Sequence, residues 1–397
     1  MKCSFLPGHP ETALFRLSGR GVRPGRHGPE ERGRRSVNWI SSELEKRVLA
    51  EPEELAARKE LLESRGLSVP GGEDLILGFF GEDRLVATGS LVGNILEGIA
   101  VEKAAEGEGA ASMVVTALIK RAVEKGQRRV FIYSRPEEAK RFELLGFTLL
   151  ATASVPESGL GASLLEWGMD GIAAFRRMLA GVSSGRPDNA GAVVMNCNPF
   201  TLGHRHLVEF AASRRPWLYV IVVEEDRSLF PFHVRLRLVR DGTSDLSNVT
   251  VIPGGPYVIS SATFPTYFTR IQGAEKDERI TELHAVLDLE LFRNHIAPPL
   301  KVSERFVGTE PYCRVTSAYN RMMKTVFSAG NGGLEVREMP RFELGGVPVS
   351  ASAVRDCIRQ GRLAEAEPFV PESTWTWLNS PEAAPVLQRI RFCHSRH

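Results

Sequence analysis

Apolar residues recur along this chain in two rhythms, and the change from one to the other divides it. Over 42–66 they fall at helical spacing, with Leu44, Val48, Leu55, Leu61 and Leu62 set among Glu, Lys and Arg and a break expected at Pro52. Three β-type runs follow at 75–80, 84–91 and 94–101, parted by the turns Gly81-Glu82-Asp83 and Gly93-Asn94. Such runs predict an antiparallel meander. A helix over 110–125 carries Met113, Val114, Ala117, Leu118 and Val123; a strand then ends at Ser134, a helix spans 136–145 and a strand over 146–152 closes this part.

Past a helical piece at 172–179 and the Gly/Ser/Pro cluster 181–189, the alternation becomes strict. Strands at 192–195, 217–223, 249–252, 305–307 and 334–338 alternate with helices at 203–213, 233–241, 277–295, 318–327 and 352–360. This order predicts a doubly wound, Rossmann-like parallel sheet whose ligands sit at the carboxyl ends of its strands. The expected organisation is an α+β domain over 42–170, a linker over 171–189, and an α/β domain over 190–397 with a C-terminal helical tail. Residues 1–41 are rich in Gly, Pro and Arg with little periodic apolar content, which predicts a disordered basic extension. A dispensable tail, an over-long start, or an arm touching an acidic partner would all read this way.

Composition narrows the function classes. Fifty basic residues against forty-eight acidic ones, net charge +2, disfavour a general nucleic-acid binder. Five widely spaced cysteines without a C-x-x-C pair read as free thiols in a reducing compartment and give no metal site. No apolar run approaches the ~18 residues of a membrane span, so a soluble cytoplasmic protein without membrane partners is expected.

The chemistry concentrates in the second half. Residues 191–210 read G-A-V-V-M-N-C-N-P-F-T-L-G-H-R-H-L-V-E-F: a buried-type strand, turn residues, then a helix start. A helix start leaves backbone N–H groups unpaired and carries partial positive charge, so Gly203 lets a phosphate approach and His204 can donate to it. At 347–356, V-P-V-S-A-S-A-V-R-D sets Ser350 or Ser352 to cap a second helix, with Arg355 one turn in. An ordinary capped helix would explain either stretch alone. Between them Gly308, Thr309 and Glu310 leave a strand end toward Arg314; nucleotide contact and simple turn chemistry both fit. The acids Glu224, Glu225 and Asp226 read as a solvated rim or as support for a magnesium-bound water. The long aromatic segment 253–268, with Phe264, Pro265 and Tyr267, suits either surface packing or the pocket of a small acid or pantetheine arm.

Thr201 to His204, T-L-G-H, after N-P-F resembles the T/H-x-G-H signature of the nucleotidylyltransferase superfamily, and the second stretch resembles that superfamily's I-S-S-T-x-x-R motif. The resemblance implies ATP as substrate, with Mg2+ held mainly through its phosphates. It makes His204 and Thr201 catalytic, and Asn198, Phe200, Gly203, Gly308, Thr309, Glu310, Ser350, Ser352 and Arg355 nucleotide-binding. In the first half the element order and the loop Gly107, Gly109, Ala110 resemble a GNAT-type acetyltransferase domain, where such a loop binds the pyrophosphate of coenzyme A; Glu106 beside it opposes that charge. N-P-F-T-L-G-H-R, F-P-T-Y-F, R-F-V-G-T-E-P-Y-C-R-V-T and V-S-A-S-A-V-R together resemble the citrate lyase ligase family from about residue 44 onward. That resemblance implies acetate activation as acetyl-adenylate, then transfer to the phosphopantetheine-type thiol of the acyl carrier subunit of citrate lyase. The alternative is a nucleotidylyltransferase acting on a phosphomonoester such as phosphopantetheine or nicotinamide mononucleotide.

Overall fold

The meander predicted over 75–101 forms in this computed structural model, which describes residues 44–107, 109–155, 159–265, 274–310, 313–329 and 333–392. The chain parts into two compact units between Gly171 and Ile172. The expected extension over 1–41 lies outside the described residues.

The first unit runs β1 (Glu45–Val48), α1 (Pro52–Ser64), β2 (Leu75–Gly81), β3 (Arg84–Val92), β4 (Ile95–Val101), α2 (Ala110–Glu124), β5 (Arg129–Ser134), α3 (Ala139–Leu144), β6 (Thr148–Val155) and β7 (Leu160–Gly168). Its sheet has the order β1-β2-β3-β4-β5-β7-β6, antiparallel except for the short parallel pairing of β4 with β5 at Ile95↔Phe131 and Leu96↔Ile132. Alternation along the strands feeds two cores. Leu77, Phe79, Ala87, Leu91 and Leu96 meet Val114, Val115 and Leu118 of α2, while Phe80, Leu85 and Ala100 meet Leu61 and Leu62 of α1. Each fully buried aliphatic side chain here contributes roughly 1.5–3 kcal/mol relative to exposure. This is the α+β architecture expected of a GNAT-like domain.

Two elements differ from expectation. The helix predicted over 42–66 is a strand and a helix, because Glu45–Val48 pairs with Leu77–Phe80 before Pro52 opens α1 at its first position. The unit closes on β7 rather than on the strand predicted at 146–152, and β7 inserts between β5 and β6.

The second unit contains α4 (Ile172–Ser183), β8 (Ala190–Met195), α5 (Leu202–Ala212), β9 (Leu218–Val222), α6 (Phe232–Asp241), β10 (Val249–Pro253), α7 (Ala274–Leu291), β11 (Val302–Gly308), α8 (Arg314–Ser328), β12 (Glu335–Met339), β13 (Glu343–Leu344), β14 (Val347–Pro348), α9 (Ala351–Arg359), α10 (Glu372–Leu378) and α11 (Ala384–Phe392). Five strands form the parallel sheet β10-β9-β8-β11-β12, and β13 and β14 a separate hairpin. Val193, Val220, Val222 and Phe306 face α5, α6, α9 and the C-terminal helices across one core. On the other face Arg305 of β11 packs against Phe292 and Tyr319, beyond α7 and in α8. The chain leaves β8 toward β9 and later returns on β8's other side as β11, which makes the β8 end the switch point where ligands bind in such sheets. Residues 171–189, expected as linker, are largely the helix α4. It belongs to this unit, with Phe175 against Tyr257 at 5.0 Å and Ser183 Oγ donating to the carbonyl of Pro299 at 2.6 Å.

Candidate active site at the β8 switch point

The loop leaving β8 is held by side chains that satisfy its backbone. Arg235, fully buried in α6, donates through Nη1 to the carbonyl and Oδ1 of Asn196 at 3.0 and 2.9 Å and to the carbonyl of Val223 at 2.6 Å, and through Nε to Phe230 at 2.9 Å. Buried polar groups must be paired, and one arginine here closes two neighbouring strand-end loops. Asn198 is buried and its Oδ1 accepts the N–H of Phe230 at 3.0 Å; Phe200 is fully buried, and its carbonyl accepts from Thr374 at 3.0 Å. Both residues therefore shape the loop from inside. Burial pushes the Cys197 thiol up, away from reactivity.

Thr201 caps α5, and its partner is His204. The hydroxyl accepts the N–H of His204, while His204 Nδ1 accepts the N–H of Thr201 at 3.1 Å and lies 2.9 Å from its Oγ1. A backbone N–H only donates, so Nδ1 is the acceptor and the ring proton sits on Nε2. Burial, then the charges of Arg341 and Arg355, bring the His204 pKa down to about 4. The imidazole is thus neutral at physiological pH, an Nε2–H donor half-buried against Phe200, with ring centroids 5.9 Å apart.

The two signature stretches meet. A Cβ on Gly203 would lie 3.0 Å from the carbonyl oxygen of Val349, so glycine is what lets the segment before α9 cross the start of α5. Ser350 caps α9, accepting the N–H of Ala353 at 3.1 Å, and Ser352 is exposed. Arg355, expected to reach phosphates, is buried; its Nη1 donates to the carbonyl of Asn198 and its Nη2 to Ser352 Oγ at 3.1 Å.

At the end of β11, the Gly308 carbonyl accepts from Asn320 at 3.1 Å, and a Cβ at Gly308 would meet nothing within 4 Å, so packing does not demand glycine there. Thr309 is exposed, its N–H bound to Met339 at 2.9 Å; Arg314 is exposed at the first position of α8. Glu310 accepts the N–H of Cys313 at 3.1 Å and pairs with Arg341 at 3.1 Å. Arg341, not singled out from the sequence, follows the carboxyl end of β12. Its placement after a strand end was the signal available.

The aromatic segment is anchored differently from expectation. Phe264 is wholly buried and stacks on Tyr319 at 5.3 Å, Pro265 is half-buried, and Tyr267 lies outside the described residues. Asp288 holds this segment: its Oδ1 accepts from the N–H of Ile259 and the hydroxyl of Thr263, both at 2.7 Å, and its Oδ2 from Tyr319 at 2.7 Å. Ile259 has φ 47, a left-handed conformation costly for a β-branched residue, and the Asp288 bond offsets that strain. Glu225 accepts the N–H of Ser261 at 2.5 Å and Asp226 that of Phe232 at 2.8 Å, so these acids tie loops. Among the described residues no group of three or more His, Cys, Asp or Glu is placed to hold a metal ion.

In the first unit Gly107 and Gly109 have φ 89 and 80, Gly109 precedes α2 without a side-chain cap, and Ala110 is buried. Glu106 is paired with Arg65, which neutralises the charge expected to oppose a diphosphate.

A family model described as citrate lyase ligase C-terminal domain matches residues 190–378. The chain is 41% identical over 300 residues to a citrate (pro-3S)-lyase ligase of Klebsiella pneumoniae, covering 75% of this chain and 84% of that protein. It is 35% identical over 339 residues to one of Escherichia coli strain K12, covering 83% and 92%. Among solved structures, the Escherichia coli ribosomal-protein-S18-alanine N-acetyltransferase matches with a TM-score of 0.27 and 16% identity, covering 32% of this chain and 94% of that one. An acyl-CoA N-acyltransferase from Pseudomonas aeruginosa matches with a TM-score of 0.26 and 12% identity, covering 31% and 98%.

Proposed function

This chain belongs to the citrate lyase ligase family and is a ligase of that class, and from that premise we propose that it activates citrate lyase by acetylating the thiol prosthetic group of the acyl carrier subunit at the expense of ATP. A carboxylate oxygen of acetate forms a bond to the α-phosphorus while the bond to pyrophosphate breaks in line, giving acetyl-adenylate. The carrier thiol then bonds to the acetyl carbon, the carbon–oxygen bond to phosphate breaks, AMP departs with that electron pair, and the thiol proton passes to solvent.

The observation that carries this reading is the reciprocal Thr201–His204 pair at the start of α5, which leaves the ring proton on Nε2 at the switch point. Phosphoryl-type displacement needs positioning and charge stabilisation rather than a protein nucleophile. His204 would donate to the α-phosphate as charge develops there, Thr201 would hold the ring, and Gly203 would keep the start of α9 close to that of α5. Ser350 and Ser352, at the start of α9, and Gly308, Thr309 and Glu310, at the end of β11, would line the nucleotide's path. Magnesium would ride on the ATP phosphates.

The test is pyrophosphate release from ATP and magnesium with acetate, run with no acceptor, with deacetylated citrate lyase carrier, and with 4′-phosphopantetheine. Release that needs acetate and multiplies with the carrier, alongside AMP, is the expected result. Release that ignores acetate and follows the phosphomonoester would replace this reading with a simple adenylyltransferase.

A further inference from the structure

We propose that Arg341, positioned by Glu310, is a side chain that grips the phosphate chain of the nucleotide at this site. The assignment rests on the adenylation reading and deepens it.

The two arginines near His204 have different surroundings. Arg355 is 6% exposed, and its guanidinium ties the start of α9 to the carbonyl of Asn198, closing the signature loop from behind. Arg341 lies on the irregular segment between β12 and β13, and its side chain is 25% exposed. It is close enough for its charge to help keep His204 neutral. Its neighbour Phe342 packs on His206 at 4.7 Å and accepts the N–H of Val349 at 3.0 Å through its carbonyl. The segment carrying Arg341 is therefore fastened through Phe342 both to α5 and to the segment that precedes α9.

Glu310 supplies the aim. It accepts the N–H of Cys313 just ahead of α8, which fixes the carboxylate, and the fixed carboxylate then holds Arg341 Nη1. Glu310 and Arg341 thus join the carboxyl ends of the adjacent strands β11 and β12. The guanidinium fork suits phosphate, and a polyphosphate, with more charge than a carboxylate, competes with Glu310 for it.

Calorimetric titration of the full chain with inorganic pyrophosphate tests this, alongside ATP–pyrophosphate exchange kinetics. Arg341→Gln should weaken pyrophosphate binding about tenfold or more, and Arg341→Lys by a smaller factor because charge remains while the fork is lost. Glu310→Ala should raise the KM for ATP more than it lowers kcat, and Glu310→Gln should restore most of the loss because the amide oxygen still accepts. The His204 ring resonance should titrate at higher pH in Arg341→Gln than in the unaltered chain, which also reports that the variant is folded. Unchanged pyrophosphate affinity in Arg341→Gln and Arg341→Lys would overturn the assignment. A chain that binds pyrophosphate through Arg341 yet releases none from ATP with acetate would leave this assignment standing and remove the adenylation reading.

Discussion

His204 accepts through Nδ1 and so carries its proton on Nε2, which makes its chemistry testable separately from its packing. His204→Ala should lower acetate-dependent pyrophosphate release by about 10²-fold or more, in the range seen when one transition-state donor is removed, with circular dichroism unchanged. An unaltered rate would take His204 out of the mechanism. Burial brings His284 down to about 3, beside about 4 for His204. Below the ordinary value near 6.5 the unfolded chain binds protons that the native chain refuses. Their contribution to stability is therefore present above about pH 6.5 and lost progressively as pH falls toward 4. The urea midpoint should drop between pH 7 and pH 5, and less steeply in His284→Gln. Arg355→Met should lower stability by about 2–3 kcal/mol, through a charged donor lost to a buried carbonyl, read from the same denaturation curves. At this scale the helix start that carries Thr201 and His204 was legible, because turn residues give way there to a helical apolar period. Arg341 was not, since nothing local to an irregular segment says which way its side chain turns.

Among the elements, the long alternation of strand and helix from residue 190 onward could be read directly, because buried parallel strands are short apolar runs and the helices between them keep their own period. What could not be read failed for physical reasons. Glu45–Val48 carries E-K-R-V on an edge strand with only one neighbour, so its pattern is that of a solvated segment. Leu160–Gly168 is buried through its middle on both sides, so it shows no alternation to mark it as a strand. The joining of α5 to α9 is also an element-scale fact, and Gly203 tests it. Gly203→Ala puts a methyl 3.0 Å from the Val349 carbonyl. Relieving that contact should cost about 1–3 kcal/mol and should weaken ATP binding as the two helix starts move apart. ATP affinity unchanged alongside a lower melting temperature would mean that their spacing is not what the nucleotide reads.

For the molecule as a whole, the question is what the first unit contributes to a chain whose two signature stretches both lie in the second. Glu106 argued against a diphosphate at the Gly107–Gly109 turn when only the sequence was considered. Its pairing with Arg65 cancels that charge, and the uncapped start of α2 leaves first-turn N–H groups of the kind that bind anions. If a pantetheine arm with a diphosphate, as in coenzyme A, binds this chain, that turn is the place expected to hold it. We expect coenzyme A to raise the melting temperature of the full chain, and Arg65→Glu to abolish the rise while leaving acetate-dependent pyrophosphate release intact, because the substitution restores repulsion at one loop of the first unit. No shift at any coenzyme A concentration, together with retention of the citrate lyase carrier on the immobilised chain, would make the first unit a docking surface for the carrier rather than a holder of its arm. The two outcomes differ in salt response as well. Docking through surface charge weakens with ionic strength, whereas a diphosphate held by backbone N–H groups in a fixed turn is screened far less.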